Sequence, residues 1–265
     1  MGKYFNVDLI PDCIAGDVSQ NNGSVDVGAG DIIFDWTAVD VPKGGSALVS
    51  ISAVVNAEDG AYGSGSLVDL ELMFAKSING TAPPSLGAIN AAQTTGGAMR
   101  SHIIGSARLE STNAFATISK AAFHVVYTNS SHATGNNTAS GSNTPIVMDL
   151  EPESGTNVGF DKLYVACFQV AARNYGTGVL LNQSDIDASA APTNSITVDG
   201  TDATKIFSVG DQVYVHDLDT PIPGTLTAVT STTLTFSETN STVDISEDDE
   251  LLNANPIRIK LGFEK

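Results

Sequence analysis

Apolar and polar positions alternate with a period of two along most of this chain, the spacing of strands with one buried face. In residues 47–55, Leu48, Ser50 and Ser52 fall on one face and Val49, Ile51, Ala53 and Val55 on the other. In residues 67–75, Leu70, Leu72 and Phe74 oppose Asp69, Glu71 and Met73, and the Gly-rich stretch between the two runs makes them read as a hairpin. The run Ile32-Ile-Phe-Asp-Trp-Thr-Ala-Val39 is β-branched and aromatic, ends at a Pro-Lys-Gly-Gly turn, and places Trp36 in alternation with Phe34 as a core residue. Further strands are expected at 102–109, 122–128, 145–150 and 162–171. The one helix candidate, 111–122, lacks caps. Residues 76–102, with Pro83-Pro84 and Gly96-Gly97, read as a long irregular segment of the kind used as an interaction arm, and 129–144 as an exposed tip.

Past residue 185 the pattern tightens. Short apolar runs at 195–198, 213–216, 224–229 and 233–236 are separated by short turns, the profile of a five-stranded SH3-like barrel with Val209, Val213, Val215, Leu226, Val229, Leu234 and Phe236 in its core. The expected fold class is all-β: a large β-sandwich or jelly-roll-like domain over 1–185, then a small SH3-like β-barrel over 186–265. The final strand, 256–264, either closes the barrel or returns to the first domain, and the pattern alone leaves both open.

Composition fits this picture. Only 16% of the 265 residues are charged, with Gly, Ser, Thr, Ala and Asn in their place. Thirty acids oppose 12 bases, for a net charge of −18 divided evenly between the two parts, a body that repels nucleic acid and anionic membranes and stays dispersed. The N-terminal residues lack an apolar run of signal-peptide length, and no stretch approaches the ~20 apolar residues of a membrane span. Cys13 and Cys167 sit in apolar company and read as reduced core thiols. Sequons at Asn79, Asn129, Asn136 and Asn240 are what an Asn/Ser/Thr-rich chain contains by chance.

No group of residues carries the spacing of a catalytic or metal site. His102, His124, His132 and His216 stand apart from one another and from cysteine, and His124 reads as a satisfied strand residue. Ser64 and Ser142 lack the strand–turn–helix setting of a nucleophile elbow. The pairs Asp185/Asp187 and Asp217/Asp219 lie at turns, where Asp is a routine turn former. Residues 244–250 offer clustered oxygens to Ca²⁺ without the register of a calcium loop. Gly28-Ala-Gly30 and Gly176-Thr-Gly178 open no helix and read as turns. The expectation is therefore a non-enzyme without catalytic, cofactor-binding or metal residues.

Two stretches carry a family likeness. Phe34-Asp-Trp-Thr-Ala-Val-Asp-Val-Pro-Lys-Gly44, with Leu70-Glu-Leu-Met-Phe-Ala-Lys-Ser77 and Ala82-Pro-Pro-Ser-Leu-Gly87, resembles virion structural proteins of marine tailed phages, cyanophages in particular. Phe207-Ser-Val-Gly-Asp-Gln-Val-Tyr214, residues 224–235 and Pro256-Ile-Arg-Ile-Lys-Leu-Gly-Phe-Glu264 do the same. The resemblance implies a capsid decoration (cement) protein that binds the outer capsid surface and stabilises the head, or alternatively a tail, baseplate or glycan-binding adhesin component. It implies the major capsid protein or other virion proteins as partners, self-association, no nucleic acid or membrane partner, and a place in the virion after assembly in the host cytoplasm.

Overall fold

The computed structural model describes residues 3–13, 24–41, 44–56, 69–78, 80–94, 96–111, 114–116, 120–126, 146–150, 162–177, 180–200, 202–215, 218 and 220–265. The described residues are all-β, and their sheets are antiparallel throughout. A 3-10 turn at Ala203–Lys205 is started by Asp202, whose side chain accepts from Thr204 N.

Two sheets form a sandwich. The first runs β1 (Tyr4–Leu9), β18 (Ile257–Glu264), β4 (Gly44–Asn56), β8 (Lys120–Val126) and β7 (Phe115–Ala116), with β9 (Ile146–Leu150) sharing the far edge of β4. The second runs β3 (Ile32–Asp40), β10 (Lys162–Gln169), β5 (Leu70–Ala75) and β6 (Ile103–Leu109). Their inner faces share one core: Ile51, Val55, Ile257, Leu261 and Phe263 from the first sheet, and Phe34, Leu70, Leu72, Phe74, Leu163 and Val165 from the second. A two-stranded ribbon, β2 (Ser24–Val27) with β11 (Arg173–Thr177), adjoins it.

Alternation assigned most faces but not the strand partners. β4 and β5 are not a hairpin. β4 pairs with β18, β8 and β9, while β5 pairs with β10 and β6 in the other sheet. Each strand has one wholly apolar face, and both bury it by stacking across the sandwich rather than lying side by side. Phe115–Ala116 and the first residues of Lys120–Val126 are strand where the helix candidate 111–122 stood, while the rest of β8 falls in the strand expected at 122–128; β8 pairs with β4 over seven residues, so tertiary pairing decides a segment that had no caps.

Two bulges move residues across faces. One lies where Gly262 pairs with Ser50 and Phe263 with Leu48, so Leu48 joins Ile51 in the core instead of sharing a face with Ser50. The other lies where Val165 pairs with Thr37 and Cys167 with Phe34, so Phe34 is fully buried between the sheets while Trp36 stands on the outer face of the second sheet.

The second module is not a closed barrel. β12 (Leu180–Asn182), β13 (Thr193–Gly200), β16 (Thr233–Asn240) and β15 (Leu226–Val229) form a four-stranded sheet facing a ribbon of β14 (Val213–Val215) and β17 (Leu251–Asn253). The strand that would close it, β18, lies between β1 and β4 in the first sheet. The module therefore sits in the chain between strands of the sandwich, and it starts by residue 180, where β12 pairs with β13. Val213, Val215, Leu226, Leu234 and Phe236 are in its core and Val229 packs against it, but Val209 is 59% exposed at the tip of the turn before Gly210, whose φ is +90°.

The ribbon serves two cores. Val213, Val215 and Leu251 face the small module, while Tyr214, Leu252 and Ala254 join the sandwich core. A buried polar junction fastens the same place. Asp211, 1% exposed, accepts from Arg258 Nη2 on β18, from Ser208 N (2.7 Å) and from Asn253 Nδ2 (2.9 Å). Asn56 Nδ2 and Asn253 Nδ2 both donate to Ile206 O (2.9 and 2.8 Å), and Asn255 Nδ2 donates to Pro11 O (2.8 Å). Tyr214 Oη donates to Asp12 Oδ2 (3.1 Å); burial, then the Asp12 carboxylate, push its pKa up to about 12.

Candidate interaction surfaces

The residues singled out for chemistry are dispersed by the fold. His102 is buried with Nδ1 2.8 Å from Lys76 O, holding the start of β6 to the end of β5. His124 lies on β8, and His132 and His216 lie outside the described residues, as do Asp217, Asp219, Ser64, Ser142 and the whole 129–144 stretch. Cys13 and Cys167 are free and buried. Burial drives both thiol pKa values up, with Cys167 and Asp12 adding to the effect at Cys13.

The acidic turns meet each other, and one oxygen of each of four carboxylates is taken by a backbone amide, while Glu250 Oε2 is buried without a partner. Asp187 Oδ1 accepts from Ala190 N (2.9 Å) and from Ser189 N and Oγ (3.1 and 2.8 Å), which lowers its pKa. Asp185 Oδ1 accepts from Glu247 N (2.7 Å), Asp244 Oδ1 from Ala188 N (2.9 Å) and Asp249 Oδ2 from Ser246 N (2.7 Å). The two segments are thus stitched together as turns. Among the described residues no three His, Cys, Asp or Glu converge as metal ligands.

What the fold does present is two broad outer faces. The second sheet's is partly clothed by the irregular segment 76–102, which lies back along the sheet. Trp36 Nε1 donates to Pro84 O (3.0 Å); Asp35 accepts from Ser85 Oγ (2.6 Å) and Leu86 N (3.1 Å); Ile32 and the 90–91 turn exchange backbone bonds of 2.8 and 3.1 Å. Leu86 and Met99 bury themselves on Ile32 and Ala166. Beside this strap a shallow hollow of about 370 Å³ is lined by Gly30, Glu71, Met73, Gln93, Phe168 and Val170, among others.

The other outer face belongs to the first sheet. Asn6 and Asp8 on β1, Lys260 and Gly262 on β18 and Ser50 and Ser52 on β4 lie side by side in register. Lys260 Nζ there lies 3.3 Å from Asp8 Oδ1, which matches those two charges, and Tyr4 Oη donates to Glu264 Oε1 (3.1 Å). A groove of about 500 Å³ runs along it between Ile10, Val54, Arg258 and Lys260, with Ile10 and Val54 exposed. Gly262 lies beside it, and a Cβ there would collide with Ser50 Oγ as now placed and lie 3.2 Å from Asn6 Oδ1.

No family model, no curated protein and no solved structure matches this chain. The argument for function therefore rests on its surfaces and on the sequence likeness described above. Pattern reading passed over β1, as it did the short β2, β7, β11, β12 and β17. The signal of β1 was present, since Phe5, Val7 and Leu9 alternate with Tyr4, Asn6 and Asp8.

Proposed function

We propose that this chain is a structural component of a tailed-phage virion, without catalytic activity, acting as a decoration protein that binds the outer capsid surface and stabilises the head. The observation that carries the reading is the outer face of β1, β18 and β4, where small residues lie in register and Lys260 pairs with Asp8, on a chain of net charge −18. A strongly acidic protein docks most readily where its own charges are already matched, and small residues such as Ser50, Ser52 and Gly262 let a partner surface approach closely. The junction around Asp211 supports it, since a rigid two-module body loses little freedom on joining an array. The partners proposed are the major capsid protein and further copies of the chain.

Cryo-microscopy of purified particles tests this. Symmetric copies of the chain on the shell, and heads that leak genome at lower temperature when the chain is absent, are the expected results. Particles whose shells lack the chain sink the proposal.

The hollow at Glu71, Met73, Gln93 and Phe168 favours a second reading, a glycan-binding tail or baseplate component, because it puts a ring, an amide and a carboxylate around one depression. Glycan-array binding lost in Phe168→Ala would favour that reading over the first.

A further inference from the structure

Strand β1 is a terminal strand of the first sheet and, among the described residues, pairs with β18 alone. Lys3 and Lys265 exchange both backbone bonds (3.0 and 2.9 Å). In an antiparallel ladder such pairs alternate with pairs that exchange none. Phe5, Val7 and Leu9 therefore turn their N–H and C=O groups toward β18, and Tyr4, Asn6 and Asp8 turn theirs away from the sheet. The register from Tyr4↔Glu264 to Leu9↔Ile259 is unbroken, so no bulge twists this edge out of use. Natural edge strands are blunted by lysine, proline, bulges or inward charges. Here β1 itself carries none of these, although Lys3 continues its ladder at one end and Pro11 follows two residues beyond the other, and the one charge within Tyr4–Leu9, Asp8, is matched by Lys260.

We propose that β1 is a self-association edge, through which two copies of this chain pair their β1 strands antiparallel about a two-fold axis at Asn6, joining two first sheets into one. The register follows from which groups are free. Tyr4, Asn6 and Asp8 must each meet a residue whose groups are also free, and only pairing Asn6 with Asn6, and Tyr4 with Asp8, of the second copy uses all of them. That register makes six backbone hydrogen bonds. It places Phe5 and Val7 of opposite copies as the closer, non-bonded pair on the inner face, where Phe5 already stacks on Phe263 with ring centroids 5.1 Å apart. No like charges oppose each other, since each Asp8 faces a tyrosine. A copy of this chain suits the edge better than a foreign strand because the edge is self-complementary in hydrogen bonding, apolar contact and charge, and because the outer faces of β1 and β18 pair Lys260 with Asp8 on an otherwise acidic body. Six residues per copy make an interface below the usual ~800 Å² per partner. The dimer is therefore concentration-dependent in solution and becomes firm when copies are held side by side on a common surface. The inference goes beyond the virion proposal and stands whichever surface that is.

The test uses the full chain and single cysteines on β1, with Cys13 and Cys167 buried and silent. Under mild oxidation Asn6→Cys gives a disulfide-linked dimer, because residues at the axis lie about 5.5 Å apart between Cα atoms, within disulfide reach. Tyr4→Cys or Asp8→Cys alone does not, but a mixture of the two does. Asn6→Pro removes an outward N–H and leaves the β18 ladder whole. It keeps the thermal midpoint and weakens the dimer about tenfold or more in sedimentation equilibrium, as expected for two lost bonds. Linkage of Asn6→Cys no greater than that of the exposed control Ser195→Cys overturns the proposal, and linkage by Tyr4→Cys alone overturns the register.

Discussion

The junction between the two modules predicts a specific loss on Asp211→Ala. The carboxylate is 1% exposed and accepts from the Ser208 amide, the Asn253 amide and the Arg258 guanidinium. Each hydrogen bond to a buried charge contributes about 1.5–3 kcal/mol, and removing one member of a buried ion pair costs about 3–5 kcal/mol. Arg258 is 35% exposed and keeps its bond to Val209 O (2.9 Å), so water relieves part of its loss. Asn253 keeps its bond to Ile206 O (2.8 Å). The low end of the range follows, about 3 kcal/mol, or a fall in Tm of about 6–12 °C for a chain of this size. Urea unfolding followed by fluorescence of the single tryptophan, Trp36, reports on the sandwich, and far-UV circular dichroism reports on both modules. In the parent chain the two transitions coincide; in Asp211→Ala the dichroism transition comes first, as the small module loosens ahead of the sandwich. A loss below about 1 kcal/mol, the size expected of a surface change such as Asp199→Ala, refutes the reasoning.

Gly262→Ala forces a Cβ against Ser50 Oγ and destabilises by about 1–3 kcal/mol; adding Ser50→Ala restores most of that in thermal melts, and no rescue means the clash is elsewhere. The buried thiols of Cys13 and Cys167, with pKa values raised by burial, stay unlabelled by a thiol reagent at pH 8 until urea unfolds the chain; fast labelling of the native protein contradicts their placement. Asp187 and Asp202 have pKa values lowered below 3.8 by hydrogen bonds, from Ala190 N and Ser189 at one and from Thr204 at the other. They add stability that is complete above that value and disappears as pH falls through the lowered ones, so urea midpoints drop below about pH 4, and Asp187→Asn flattens that drop.

Strand identity was legible where one face is wholly apolar. Leu70, Leu72 and Phe74 are buried as their spacing requires. Pairing was not legible, because a period of two says which way a side chain points and nothing about which strand lies alongside. That is why β4 and β5 looked like neighbours and are opposite walls of the sandwich. The bulges at Val49 and near Asp35 were invisible for a related reason: one extra residue shifts the face of everything beyond it, and the glycine that marks the first, Gly262, lies on the partner strand. The expected barrel failed on its closing strand, whose apolar residues fit either core equally well by composition. The segment 76–102 was legible as irregular, but its attachment to the second sheet depends on Trp36, which a strict alternation had put inside.

The placement of β18 sets the order of events when the chain folds. Its hydrogen-bonded neighbour β1 is 260 residues away at Tyr4 and Glu264, so β18 takes its place between β1 and β4 only after the strands that precede it in the chain have been made. Contacts so distant in sequence are slow to form, because a long loop must close before any contact rewards it. The small module shortens that search. Once its own strands pair, Asn182 and Asp249 are joined backbone to backbone, and the gap between residues 182 and 249 collapses to a single hydrogen bond of 2.9 Å. The module thus works as a clasp in assembly, delivering β18 to the vacant lane between β1 and β4, and until that happens the open edges of both strands are exposed to neighbouring chains.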